Sequence, residues 1–197
     1  RESIPRFRSQ RTQALLGYLV TARRPISRER LAALFWPDQS ARKAKANLRR
    51  ELHNLSRVLP NCWKSTQMVV HFTPTPATRV DVYEVQRLAE ASMWVAATRW
   101  LRGEFLEGVT LVDSPEAEAW LYGERERWRL HAEQLLLKAA QAQWQAGAHP
   151  EARQTLIRLI RLSPWHEEAH RQLILLLARQ GQFSAAVRQY RHCRELL

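Results

Sequence analysis

A chain of 197 residues with 45% apolar content can bury one large core or two small ones. It carries 31 Lys and Arg against 19 Asp and Glu, yet 14 of the former and only 4 of the latter fall in residues 1–60, so that stretch holds +10 and residues 61–197 only +2. No apolar run approaches the ~20 residues that span a bilayer, no signal-peptide core opens the chain, and Cys62 and Cys193 are too few and too far apart for a disulfide framework; a reducing cytoplasm is expected, and no membrane partner.

The first helix is expected over residues 10–22, with Ala14, Leu15, Tyr18, Leu19 and Ala22 as its buried stripe. Residues 23–26 read as a connector, and Ser27 as the N-cap of a second helix whose Leu31, Leu34 and Phe35 face the core. Trp36-Pro37 ends that helix, because a residue before proline avoids the helical region. Ser40 is expected to cap a third helix, completing a helix-turn-helix core.

The third helix has two unlike sides. At 100° per residue, Ala41, Ala44, Leu52, Leu55 and Leu59 fall within about 40° of Leu48. The other side carries Arg42, Lys43, Arg49, Arg50, His53, Asn54 and Arg57, and the one acid of the helix, Glu51, projects toward the buried edge. A helix packed by one stripe and basic on the other suits a DNA groove. Arg pairs bidentately with guanine and Asn with adenine, so Arg49, Arg50, His53 and Asn54 are candidates for base edges. Arg23, Arg28, Arg42, Lys43, Arg57 and Lys64 are candidates for phosphates. The bland alternative is a solvated charged face; concentration of the charge in this segment favours a polyanion. Duplex DNA is expected over RNA, since no aromatic platform on strands is visible.

Beyond Pro60 the period changes. Met68, Val70 and Phe72 alternate with Val69, His71 and Thr73, which predicts a strand, with Trp63 opening its partner and a turn near 64–67. A hairpin directly after such a helix is a wing. Residues 73–76, Thr-Pro-Thr-Pro, form an extended boundary. Helices are then expected over 81–101, 114–146, 149–162, 165–180 and 182–197. Residues 147–152 recur as 181–186, 34 residues later, which is the tetratricopeptide period. Ala152 and Ala186 fall where paired helices approach closely, Leu156 aligns with Tyr190, Leu159 with Cys193, and Pro164 closes the first repeat. Such stacked helices present surfaces to proteins.

Several stretches together resemble one family. They are residues 15–19, Leu-Leu-Gly-Tyr-Leu; the 27–38 helix ending Leu34-Phe35-Trp36-Pro37-Asp38; and residues 46–52. In the second half they are Val80-Asp81-Val82, residues 103–108, Asp113 to Glu116, Trp120-Leu121, residues 124–127 and Glu168 to Arg171. Nearly the whole chain resembles bacterial transcriptional activators of the Streptomyces antibiotic regulatory protein type, with an OmpR-like winged helix followed by a bacterial transcriptional activator domain. The resemblance implies sequence-specific DNA binding, a homodimer on repeated half-sites and recruitment of RNA polymerase. That winged helix opens with a small sheet, whereas only residues 1–8 precede the first helix here, so the N-terminal sheet is expected either to be truncated from a fragment or to be lacking in this branch; Arg1 and a Leu197 inside a helical pattern fit a fragment.

His166-Glu167-Glu168-Ala169-His170 matches H-E-x-x-H, the zinc-protease pattern, in which two His ligands and a Glu activate a metal-bound water. It opens a repeat helix with only Glu195 in range as a third ligand, and is read as a solvated first turn. Trp94, Trp100, Trp120, Trp128 and Trp144 sit at helical spacing as packing residues, with Trp165 exposed. Glu104, Glu107, Asp113 and Glu116 read as a solvated loop. No cofactor, metal or catalytic group is expected. The expectation is a mainly α protein: a winged helix-turn-helix domain with a small β-hairpin over residues 1–75, then a tetratricopeptide-like helical bundle over 80–197. The alternatives are an interaction scaffold, such as the regulatory segment of a larger signalling ATPase whose winged helix contacts protein, and an enzyme resting on His166 and His170.

Overall fold

The computed structural model describes Phe7 and residues 9–196. The expected truncation of an N-terminal sheet concerns residues 1–8 and, Phe7 apart, lies outside the described residues. The elements run α1 (Gln10–Ala22), β1 (Ile26–Ser27), α2 (Arg28–Phe35), α3 (Ala41–Val58), β2 (Trp63–Ser65), β3 (Val69–Phe72), α4 (Asp81–Glu90), α5 (Trp94–Thr98), α6 (Pro115–Gln145), α7 (His149–Leu162), α8 (Glu167–Arg179) and α9 (Phe183–Leu196). The fold is mainly helical with one small antiparallel sheet, of order β1-β3-β2.

The chain forms two compact units. The first holds residues 1–80 and 103–126, the second residues 81–102 and 127–197. Packing therefore does not follow a single cut between residues 75 and 80: Gly103–Glu126 joins the first unit. Four contacts explain why. Ser114 is fully buried and its Oγ donates to the Phe35 carbonyl at 3.0 Å. The Tyr18 and Trp120 rings meet edge to face with centroids 5.0 Å apart. Arg11 and Asp113 pair at 3.7 Å. Gly17 leaves room for Leu106; a Cβ there would stand 2.6 Å from the Leu106 Cδ1. Arg125 fixes the intervening loop by donating to the carbonyls of Phe105, Leu106 and Val109 at 2.8–3.1 Å.

Local chemistry starts and stops the elements of the first unit. The Ser9 side chain accepts from the Thr12 amide to open α1, and that of Ser27 from the Arg30 amide to open α2. Ser40 occupies the N-cap position of α3, but its side chain makes no capping bond, contrary to expectation. Ala14, Leu15, Leu19, Leu31, Phe35, Leu48 and Leu55 are all at most 1% exposed and form the core, with Trp36 close behind. Tyr18, Ala22 and Leu34, expected inside, are half-buried.

Residues 23–26 are not a plain connector. Ile26 and Ser27 pair with Val70 and Val69. The isolated pair of residues showed no alternation, so only the tertiary partner makes it a strand. The β2–β3 hairpin registers Trp63 with Phe72 and Ser65 with Val70, and the turn lies at residues 66–68, which moves Met68 out of the strand. There is no Asn-Gly turn. Instead the Thr66 hydroxyl accepts from the Met68 and Val69 amides, each at 3.1 Å.

In the second unit, the helix expected over 81–101 is two. Ser92 adopts a left-handed φ of 55° and the Met93 amide returns to the Leu88 carbonyl, which closes α4. Helices α7, α8 and α9 pack in sequence, as a tetratricopeptide-like stack requires. Gly147 and Gly181 hold φ of 75° and 71° at matching helix ends. Ala152 and Ala186 are buried at matching positions, whereas buried Leu156 aligns with Tyr190, which is 53% exposed. Trp94, Trp100, Trp128 and Trp144 are half-buried here, as Trp120 is in the first unit, and Trp165 is exposed. No helix among the described residues is long and apolar enough to cross a membrane.

Candidate nucleic-acid interface

Helix α3 buries Ala44, Leu48, Leu52 and Leu55. The expected stripe is shorter at both ends, because Ala41 is exposed and Leu59 half-buried. That stripe sets the rotation of the helix, and Glu51 ties it to α1. The Glu51 Oε2 accepts from the buried Thr12 hydroxyl of α1 at 2.6 Å, a short charge-assisted bond.

That rotation leaves Arg42, Lys43, Arg49, Arg50, His53 and Arg57 exposed on one helix and Asn54 half-buried. Among the described residues, no ion pair or hydrogen bond engages the side chains of Arg42, Lys43, Arg49, His53 or Arg57. Arg50 donates to the Asn47 Oδ1 at 3.1 Å and stands 3.7 Å from the Glu51 Oε1. Asn54 donates its amide to the Glu51 Oε2 at 3.4 Å, so one end of it is occupied. Asn47 was missed in the sequence; it lies roughly 60° round the helix from Arg50 and shares its hydrogen bond. Its only signal was its position between Ala46 and Leu48, which hydrophobic periodicity does not weigh.

The remaining candidates fall apart by geometry. Lys64 is exposed on β2, next to the hairpin turn. Arg23 is exposed at the C-cap of α1 with φ 50°. Arg28 is different. Its Nε donates to the Thr66 carbonyl at 2.8 Å, its Nη2 to the Ser65 hydroxyl at 2.7 Å, and its amide to the Met68 carbonyl. Its guanidinium holds the hairpin turn against the start of α2.

The H-E-x-x-H residues are distributed over structural tasks. The His166 Nδ1 caps α8 through the Ala169 amide at 3.3 Å. His170 is 1% exposed, which corrects the solvated reading of this turn. Its Nε2 contacts the Pro164 carbonyl at 2.9 Å, so that nitrogen donates, and its Nδ1 accepts from the Gln189 amide at 2.7 Å. Glu168 grips the Arg171 guanidinium with both oxygens, and this bond holds its carboxyl below the ordinary range. Among the described residues no three His, Cys, Asp or Glu side chains converge as ligands. Of the acidic loop, Glu104 pairs with Arg125 at 3.2 Å and Asp113 with Arg11.

The model of one protein family, the bacterial transcriptional activator domain, matches residues 80–197. This chain belongs to that family. No curated protein matches it. The activator domain is regulatory rather than enzymatic, and its tetratricopeptide-like character agrees with the stacked α7–α9 helices. Its matched span runs through both packing units, since the activator-domain residues 103–126 pack with α1 and α2.

Proposed function

We propose that this bacterial transcriptional activator binds duplex DNA sequence-specifically through residues 1–75 acting as a winged helix. Helix α3 enters the major groove and the β2–β3 hairpin is the wing. The observation that carries this reading is the exposed basic face of α3, opposite a buried leucine stripe and with Glu51 as the one acid of the helix at its edge. Arg49, Arg50, His53 and Asn54 face base edges, joined by Asn47. Arg42, Lys43, Arg57, Lys64 and Arg23 hold phosphates. Arg28 acts at one remove, by fixing the wing. Residues 80–197 serve the activator function, with dimerisation on repeated half-sites and contact to RNA polymerase following from the family resemblance. The cytoplasm, where the DNA lies, is the matching compartment.

Selection from random duplexes, followed by salt titration, tests the reading. A selected consensus and a steep fall of log K with log salt support it. Lys43→Ala should flatten that slope by about 1 while preserving the consensus. Failure to enrich any sequence, with salt-independent binding to protein partners instead, would favour the scaffold reading.

A further inference from the structure

Between helices α7, α8 and α9 lies an open groove of about 310 Å³ that the DNA-reading proposal does not use. Its floor is apolar: Leu173 and Leu177 of α8, each 4% exposed, with Ile157 and Ala185 beside them. Its rim is cationic and polar: Arg153 from α7, and Arg188, Gln189 and His192 from α9. No acid lines it.

Among the described residues neither Arg153 nor Arg188 makes an ion pair or hydrogen bond. Arg158, also on α7, shows the contrast: it donates to the Thr98 carbonyl at 3.0 Å and to that of Leu101, and so serves the fold. The wall beside the arginines is pre-organised. Gln189 is held by its bond to buried His170, and the His170 ring lies 6.0 Å from that of His192.

We propose that this pocket binds a small organic carboxylate with an apolar body, as an effector of the activator. The carboxylate is recognised by the guanidiniums of Arg153 and Arg188, which suit planar bidentate pairing. The apolar body lies on Ile157, Leu173 and Leu177. Size decides between occupants. Small-molecule pockets start at about 300 Å³. A stable protein partner needs about 800 Å² on each side, far more than these side chains offer. An inorganic anion would leave the apolar floor uncovered.

Calorimetric titration of the full chain with octanoate and with phenylacetate tests the site, using octanamide and phenylacetamide as neutral controls and sulfate as the bare anion. The proposal expects saturable binding of at least one acid below about 10 mM, weakened at least tenfold by Arg153→Gln with Arg188→Gln. Both arginines are exposed, and unchanged helical circular dichroism would show that the variant folds. In labelled protein, the His192 and Gln189 side-chain resonances should move with the same saturation curve. The proposal is overturned if neither acid saturates in that range, if the amides bind as well as the acids, if sulfate binds as tightly, or if the double variant binds unchanged.

Discussion

His131 illustrates how one residue reports on its surroundings. Its Nε2 is buried without a hydrogen-bond partner. Burial, then the positive charges of Arg127 and Lys138, lower its pKa from the ordinary 6.5. The unfolded chain takes up a proton near 6.5, while the folded chain resists until lower pH. Between those values the unfolded state binds more protons, so stability is full above 6.5 and falls as pH falls through the folded value. Urea melts of the full chain should show the transition that reports on α6–α9 moving to lower urea as pH drops from about 7.5 to about 5.5. His131→Gln should remove part of that dependence; an unchanged pH dependence would mean that other groups cause it. Ser114 makes a second case. Ser114→Ala leaves the buried Phe35 carbonyl without its donor, and should destabilise the first unit by about 1–3 kcal/mol, read from its melting midpoint.

At the scale of elements, the helices were legible where a single stripe decides them. Helix α1 spans the expected residues 10–22, and the basic face of α3 follows from the spacing of Leu48, Leu52 and Leu55. What periodicity could not reveal depended on partners distant in sequence. Strand β1 exists only because Val69 and Val70 lie beside it. The α4–α5 break rests on one left-handed serine, and serine is not a strong breaker by composition. The candidate site was legible as a set of exposed cations, but not in its division of labour. Arg28 looked like any basic residue, yet its guanidinium is committed to residues 65 and 66, nearly 40 positions away. This gives the hairpin a test. Arg28→Ala should speed amide hydrogen exchange at Thr66, Met68 and Val69, with little effect at Leu48 or Leu52 in the core of α3. Unaltered exchange in the hairpin would show that Arg28 does not hold it.

At the scale of the whole molecule, the family boundary and the packing boundary differ. The matched domain begins at residue 80, but its residues 103–126 belong to the first packing unit. Ala117 and Leu121 are fully buried there, and Val109 and Leu111 nearly so. A chain cut at residue 80 should therefore yield an N-terminal piece that melts well below the intact protein and a C-terminal piece that exposes this apolar segment. Mixing the two pieces should restore protection from protease at residues 103–126. Independent melting of each piece at the intact temperature would contradict the interleaved organisation.

On the proposed function, α3 reads DNA. Equilibrium binding of the Arg49→Ala, Arg50→Ala double variant to the selected site and to scrambled duplex, with melting checked alongside, tests it most directly. Both side chains are exposed, so folding should be intact. A base contact is worth about 1–3 kcal/mol, so the variant should lose discrimination at one or two base pairs and lose more affinity for the selected site than for scrambled DNA. Undiminished affinity and specificity in a folded double variant would rule out α3 as the DNA reader.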